Sequence, residues 1–146
     1  MSVRIGMDGK LYRNSGDYIT PVWVELSNVK DLTLTLEKGE ADVTTRANQG
    51  WRATIGTLKE GAIEFEMVWD TADPSFNSIK DAYFNDTPLE MAVMDGDIAA
   101  SGSEGLRAAF SVTSFTRNEP LEEAMTASVS LKVSYSEHAP EWMVVP

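Results

Sequence analysis

Cysteine is absent from this chain, and histidine occurs once, at position 138. The first absence excludes disulfides, thiolate metal sites and a cysteine nucleophile, and it is compatible with a reducing compartment. The second leaves a Ser–His pair with His138 as its one possible base. That residue lies in a polar Glu-His-Ala-Pro stretch, where a solvated side chain is expected. The patterns GxSxG, GxGxxG and GxxxxGK[ST] are also missing. Cations are scarce: 12 Lys and Arg stand against 23 acids, for a net charge of −11. Tight nucleic-acid binding needs Lys and Arg to neutralise phosphates, so this balance argues against it. No apolar run approaches the ~20 residues of a membrane span. The opening MSVRIGMDGK lacks the apolar core of a secretory signal. The expectation is a soluble protein made in the cytoplasm.

Carboxylate pairs occur, but each has a plainer reading than catalysis. Glu64 and Glu66 sit two apart in an alternating strand, on a face that must see water, because unpaired carboxylates are too costly to bury. Asp95 and Asp97 flank a glycine in a turn, and the remaining oxygen ligands of a calcium loop are missing. No catalytic residue, metal or cofactor is expected.

What the chain does have is alternation. Its 146 residues suit one domain, which can bury a core without disulfides or metals. Period-two patterning predicts strands at Val22–Leu26, Asp31–Glu37, Ala62–Trp69, Leu89–Met94, Leu106–Arg117 and Ala124–Tyr135. Shorter candidates are Ala41–Thr45 and Trp51–Leu58. Arg4–Arg13 reads as a hairpin turning at Asp8-Gly9, a pair suited to a tight type I′ turn. One helix is expected after Asp73, which can cap it, with Pro74 in its first position and Phe76, Ile79 and Tyr83 as its apolar stripe. It should stop before Pro88. The apolar tail residues Trp142–Val145 suggest docking, on this subunit or the next. The fold class is mainly β: an antiparallel β-sandwich or barrel with one flanking α-helix. Its open strand edges would suit pairing with neighbours.

Between the strong strands lies a long polar segment, residues 38–60. A connection of that length in a small domain is usually functional or disordered. Trp23 and Trp69 lie in well-patterned strands and are expected in the core. Trp51 sits beside Gly50 and Arg52 on the polar segment, where a large aromatic suits an interface anchor.

The order of pieces Trp23-Val-Glu-Leu-Ser-Asn-Val-Lys-Asp31, Glu40-Ala-Asp-Val-Thr-Thr-Arg46, Gly50-Trp51, Ala62–Asp70, the helix and Phe115-Thr-Arg-Asn-Glu-Pro-Leu121 resembles the major tail tube proteins of long-tailed bacteriophages. The resemblance covers most of the chain. It implies hexameric rings whose strands join into one inner barrel, stacked into a hollow virion tail tube assembled in the host cytoplasm. DNA would pass through the lumen without specific binding, and the partners would be further copies, a tape-measure protein and tail initiator and terminator proteins. Gene transfer agents and contractile injection machines use similar tubes. On this reading the lumen candidates are Thr33, Thr35, Glu37, Glu64, Glu66, Ser128 and Ser130, with Lys132 a departure. Residues 38–60 form the assembly arm of a 1–146 domain, carrying Asp42, Arg46, Trp51 and Arg52 as its contact residues. A reading from another class is a monomeric β-sandwich binding module.

Overall fold

The computed structural model describes residues 3–146. Eight strands form one antiparallel sheet: β1 (Lys10–Asn14), β2 (Trp23–Glu25), β3 (Val29–Asp42), β4 (Thr54–Val68), β5 (Leu89–Met94), β6 (Glu104–Asn118), β7 (Thr126–Val133) and β8 (Glu141–Val144). The order is β2-β1-β5-β6-β7-β4-β3, with β8 pairing β6 near its start. The sheet curls on itself, so that its inner face encloses the larger of two hydrophobic clusters. A Cβ on Gly61 of β4 would meet Val133 of β7, Leu36 of β3 and Leu106 of β6 within 4 Å. Ile63, Phe65, Met67, Met91, Phe110, Val129 and Leu131 fill that core from four strands, β4 to β7.

The helix α1 (Pro74–Asn85) closes one side of the core. The Asp73 carboxylate accepts the Ser75 N–H at 3.0 Å, which satisfies one of the free donors of the first turn. Phe76, Ile79 and Ala82 are its buried apolar residues, not Tyr83, which is 40% exposed and packs edge-on against Phe84. The spacing of three keeps residue 82 over the sheet and carries residue 83 round to the rim. The helix ends at Asn85 because Asp86 takes the left-handed conformation, φ 55°, ahead of Pro88.

Two expectations need correcting. Asp8-Gly9 makes no hairpin: Gly6–Asp8 is a 3-10 turn and Gly9 has φ −66°, so neither residue takes the positive φ of a type I′ turn. The strand that follows pairs with distant β5, as Lys10↔Met94 and Leu11↔Val93 show. Residues 38–60 are not a loop. β3 and β4 stay paired as far as Asp42↔Thr54, leaving only 43–53 as the turn. His138 is exposed, as expected of the polar segment, yet it has a partner. It stacks on Tyr18 with ring centroids 3.6 Å apart.

That stack belongs to a latch on the C-terminal segment. Beneath Tyr18 lies the buried guanidinium of Arg107, 3.9 Å from the ring centroid, in an ion pair with Glu90 and donating to the Tyr18 carbonyl at 2.7 Å. Glu141 reaches it at 3.8 Å, and Met143 and Val145 pack on Tyr12, Ala92 and Met94. The tail therefore docks on its own subunit. Arg107→Ala leaves the Glu90 carboxylate half-buried without its partner, and an expected loss of about 3 kcal/mol follows. Urea unfolding of the two proteins measures it.

Candidate functional site on a bare sheet face and a projecting hairpin

Strands β3, β4, β7 and the far half of β6 present an outer face opposite the core. Cross-strand pairs in an antiparallel sheet share a face, so the register assigns each side chain. Thr33 pairs with Glu64, Glu64 with Ser130 and Ser130 with Ser114 in one row. Glu66, Ser128 and Thr116 form the next. Thr35, Ala62 and Lys132 form a third, and Glu37 faces Glu60 beyond it. All seven residues singled out from the strand patterns, Thr33, Thr35, Glu37, Glu64, Glu66, Ser128 and Ser130, thus come together on one surface. Thr33, Thr35, Glu37 and Glu64 are exposed, and Glu66, Ser128 and Ser130 are half-buried by their neighbours.

The paired rows carry four carboxylates, Glu37, Glu60, Glu64 and Glu66, with Lys132 among them, while Lys59 borders the Glu37–Glu60 end and Lys30 lies beside Glu66. Lys132 makes no ion pair among the described residues. Ser114 and Thr116 belong to the face although simple alternation along β6 places even-numbered residues inward. A bulge between Val112 and Ser114 inserts one residue and reverses the parity, so Phe115 turns to the core. A run reading Ser-Val-Thr-Ser-Phe-Thr, in which inward hydrophobics are three apart, is the sequence trace of that bulge.

Two edges of this four-stranded region lack a partner among the described residues. One is the outer side of β3. The other is the side of β6 remote from β7, beyond Phe110, where β5 ends.

The β3–β4 hairpin projects from the core past Glu37, and every residue there except Asn48 and Ala53 is exposed. Its pairing slips by one residue between Lys38 and Glu40. The Lys38 stem lies over Gly56, where a Cβ would come 2.4 Å from Cδ. The turn is built rather than slack. Asp42 accepts the Thr44 N–H at 2.8 Å, and the Thr44 hydroxyl, with that N–H, holds the Asp42 carboxyl below its ordinary value. Ala53 donates to the Thr44 hydroxyl at 2.9 Å. Thr45 caps a 3-10 turn over Arg46–Asn48, and Gln49 and Gly50 take positive φ to reverse the chain. Trp51 and Arg52 follow on the descending side. Of the four residues expected on the arm, Arg46, Trp51 and Arg52 share this tip and Asp42 anchors its base. The Asn48 amide nitrogen is buried there without a hydrogen-bond partner.

Trp51 is 78% exposed, Leu58 82% and Ile55 57%. The sequence pattern pointed to the tryptophan alone, because Ile55 and Leu58 read as members of an ordinary strand. Three large apolar side chains thus stand in water on one hairpin, the kind of exposure that marks an interaction surface. Among the described residues no group of three or more His, Asp or Glu is placed to hold a metal ion, and no helix is long and apolar enough to cross a membrane.

Comparison with known proteins bears on this geometry. A family profile described as phage tail tube protein matches residues 12–135. No curated protein sequence matches. Among solved structures, a subunit from the tail of an empty gene transfer agent particle, refined with C6 symmetry, aligns with a TM-score of 0.77 at 16% identity, covering 97% of this chain and 100% of that one. A subunit of the SPP1 tail tube aligns with a TM-score of 0.71 at 18% identity, over 90% and 76% of the two chains. A subunit from the sheath–tube complex of an extracellular contractile injection system gives 0.59 at 9%, over 99% and 93%. At these identities the likeness is one of fold.

Proposed function

Because the chain belongs to the phage tail tube protein family, a structural component of virion tails, we propose that it closes into hexameric rings stacked as a tube with an acidic lumen for DNA. The observation that carries this reading is the bare polar face bounded by two free edges. Across β3, β4, β7 and β6 each strand is antiparallel to the next, so β6 of one subunit is antiparallel to β3 of the next. An even number of strands per subunit lets the same pairing repeat around a closed ring without a parallel mismatch. Ring closure then removes the edges that would otherwise invite uncontrolled association. Six copies agree with the symmetry of the gene transfer agent tail whose subunit shares the fold.

Geometry also orients the face. The helix and the rest of the curled sheet lie on the core side of these four strands. A ring has more room at larger radius, so the bulk goes outward and the bare face inward. Thr33, Thr35, Glu37, Glu64, Glu66, Ser128 and Ser130 then line the lumen. Their chemistry suits a conduit, since carboxylates repel phosphate and hydroxyls hydrate the wall. The arm, with Asp42, Arg46, Trp51 and Arg52, makes contacts between subunits. A tape-measure protein and tail initiator and terminator proteins are the further partners of such a tube.

Negative-stain electron microscopy of the concentrated protein tests the reading. Hollow rings or tubes with six-fold symmetry are expected. Featureless monomers that persist even when tail tips are supplied as seeds overturn it. The lumen assignment has its own test. Glu64→Lys with Glu66→Lys reverses two of the four carboxylates per subunit and should give tubes that retain DNA at low salt and release it as salt rises. Intact mutant tubes that hold no more DNA than the parent sink the electrostatic account.

A further inference from the structure

Both ends of the four-stranded region carry exposed groups, and their charges are opposite. At the arm end, residues 43–53 contain Arg46 and Arg52 and no acid, on a chain of net charge −11. Exposed Trp51 lies between the two arginines in sequence. The other end is the turn joining β6 to β7. Val68 at the far end of β4 pairs with Thr126, and Thr126 pairs with Asn118, which places residues 119–125 opposite the arm. That turn holds Glu119, Glu122 and Glu123 around Leu121, whose side chain is 99% exposed. Arg117 is occupied by Glu119 at 3.5 Å, and Lys30 borders the same groove, so Glu122 and Glu123 carry the surplus charge.

We infer that the cationic arm tip docks on the acidic Glu119–Glu123 turn of a second copy in the adjacent ring. The inference rests on the tube reading and assigns the arm its receptor. Within one chain the two ends cannot meet: the 15 residues of β4 separate them by about 45 Å at a strand's rise per residue. If the β3 and β6 edges pair laterally, the strands run along the tube, and head-to-tail stacking brings each arm end to the opposite end of the next ring. There the guanidinium groups meet carboxylates while Trp51 and Leu121, both stranded in water in the free subunit, cover each other. Opposite charges at opposite ends also fix polarity, because reversed stacking sets like charges together.

Charge reversal tests it in the whole chain. Glu122→Lys with Glu123→Lys should leave rings and lose tubes. Adding Arg46→Glu and Arg52→Glu to that chain restores the opposition of charge and should restore tubes. Normal tubes from the first variant overturn the inference, as do rings that the second variant fails to stack. Because the native chain has no cysteine, a mixture of Arg52→Cys and Glu122→Cys chains gives a second readout. Parent-like tubes whose oxidation yields the mixed disulfide support the contact, and parent-like tubes without it overturn the contact while leaving the tube reading intact. Absence of rings and tubes from the parent chain, seeded or not, removes the tube reading and this inference together.

Discussion

Trp51→Ala is expected to leave the subunit folded and to stop tube growth. The indole is 78% exposed, so its removal takes almost nothing from the core, and the change in stability should stay within about 0.5 kcal/mol. Assembly is another matter. A tryptophan buried at the centre of an interface typically contributes 2 kcal/mol or more, which is roughly a 30-fold change in affinity for each contact. In the proposed ring every subunit makes that contact, so the losses accumulate around the ring and the concentration needed for growth rises out of reach. The far-ultraviolet circular dichroism and the melting temperature of the variant should match the parent, while electron micrographs show no tubes. Trp51→Phe, which keeps an aromatic ring of smaller area, should fall between. Normal tubes from the alanine variant would remove Trp51 from the interface.

The opposite dissociation, stability lost without any direct effect on the contact surfaces, is expected at Gly105. Here β6 runs so close to β5 that a Cβ would lie 1.8 Å from the Val93 carbonyl oxygen and 2.8 Å from the Met94 Cα. Those neighbours are backbone atoms of a paired strand and cannot rotate away. Gly105→Ala must therefore push the two strands apart, and with them the ladder from Leu89↔Phe110 to Met94↔Gly105. Overpacking of this kind costs about 3 kcal/mol or more, equivalent to a fall of roughly 10 °C in melting temperature for a domain of this size. Gly6→Ala is the control, since nothing lies within 4 Å of its added methyl group. Thermal melts that fail to separate the two variants would show that the β5–β6 ladder is looser than its geometry.

Much of this was legible in the alternation. Ile63, Phe65 and Met67 against Glu64 and Glu66 announced a strand with one wet face, and the structure buries the first three and leaves Glu64 exposed. Asp73 and Pro74 announced the helix start. The polar face could be assembled residue by residue because period two holds wherever a core lies behind the strand. Where the core stops, the signal stops. Lys38–Asp42 and Thr54–Glu60 have no buried side, so nothing selects for alternation, and a paired hairpin there reads as a loop. Bulges erase the pattern in the same way, as Thr113 does for Ser114 and Thr116. Asp8-Gly9 shows the reverse error. A good local turn signal lost to a pairing with β5, more than seventy residues away, which a single sequence does not reveal. The Arg107, Tyr18 and His138 stack was equally invisible, since its three members come from three separate segments.

That distant pairing has a consequence for how the chain is made. Residues 10–13 find their partners only at 91–94, and β7 must then insert between β6 and the earlier β4. Topologies dominated by such non-local pairs fold slowly, in milliseconds to seconds. During synthesis, which adds about 5–20 residues each second, the β3–β4 hairpin is complete while its neighbours in the sheet do not yet exist. Trp51, Ile55 and Leu58, exposed in the finished chain, are then already exposed on the nascent one, an early hazard for association.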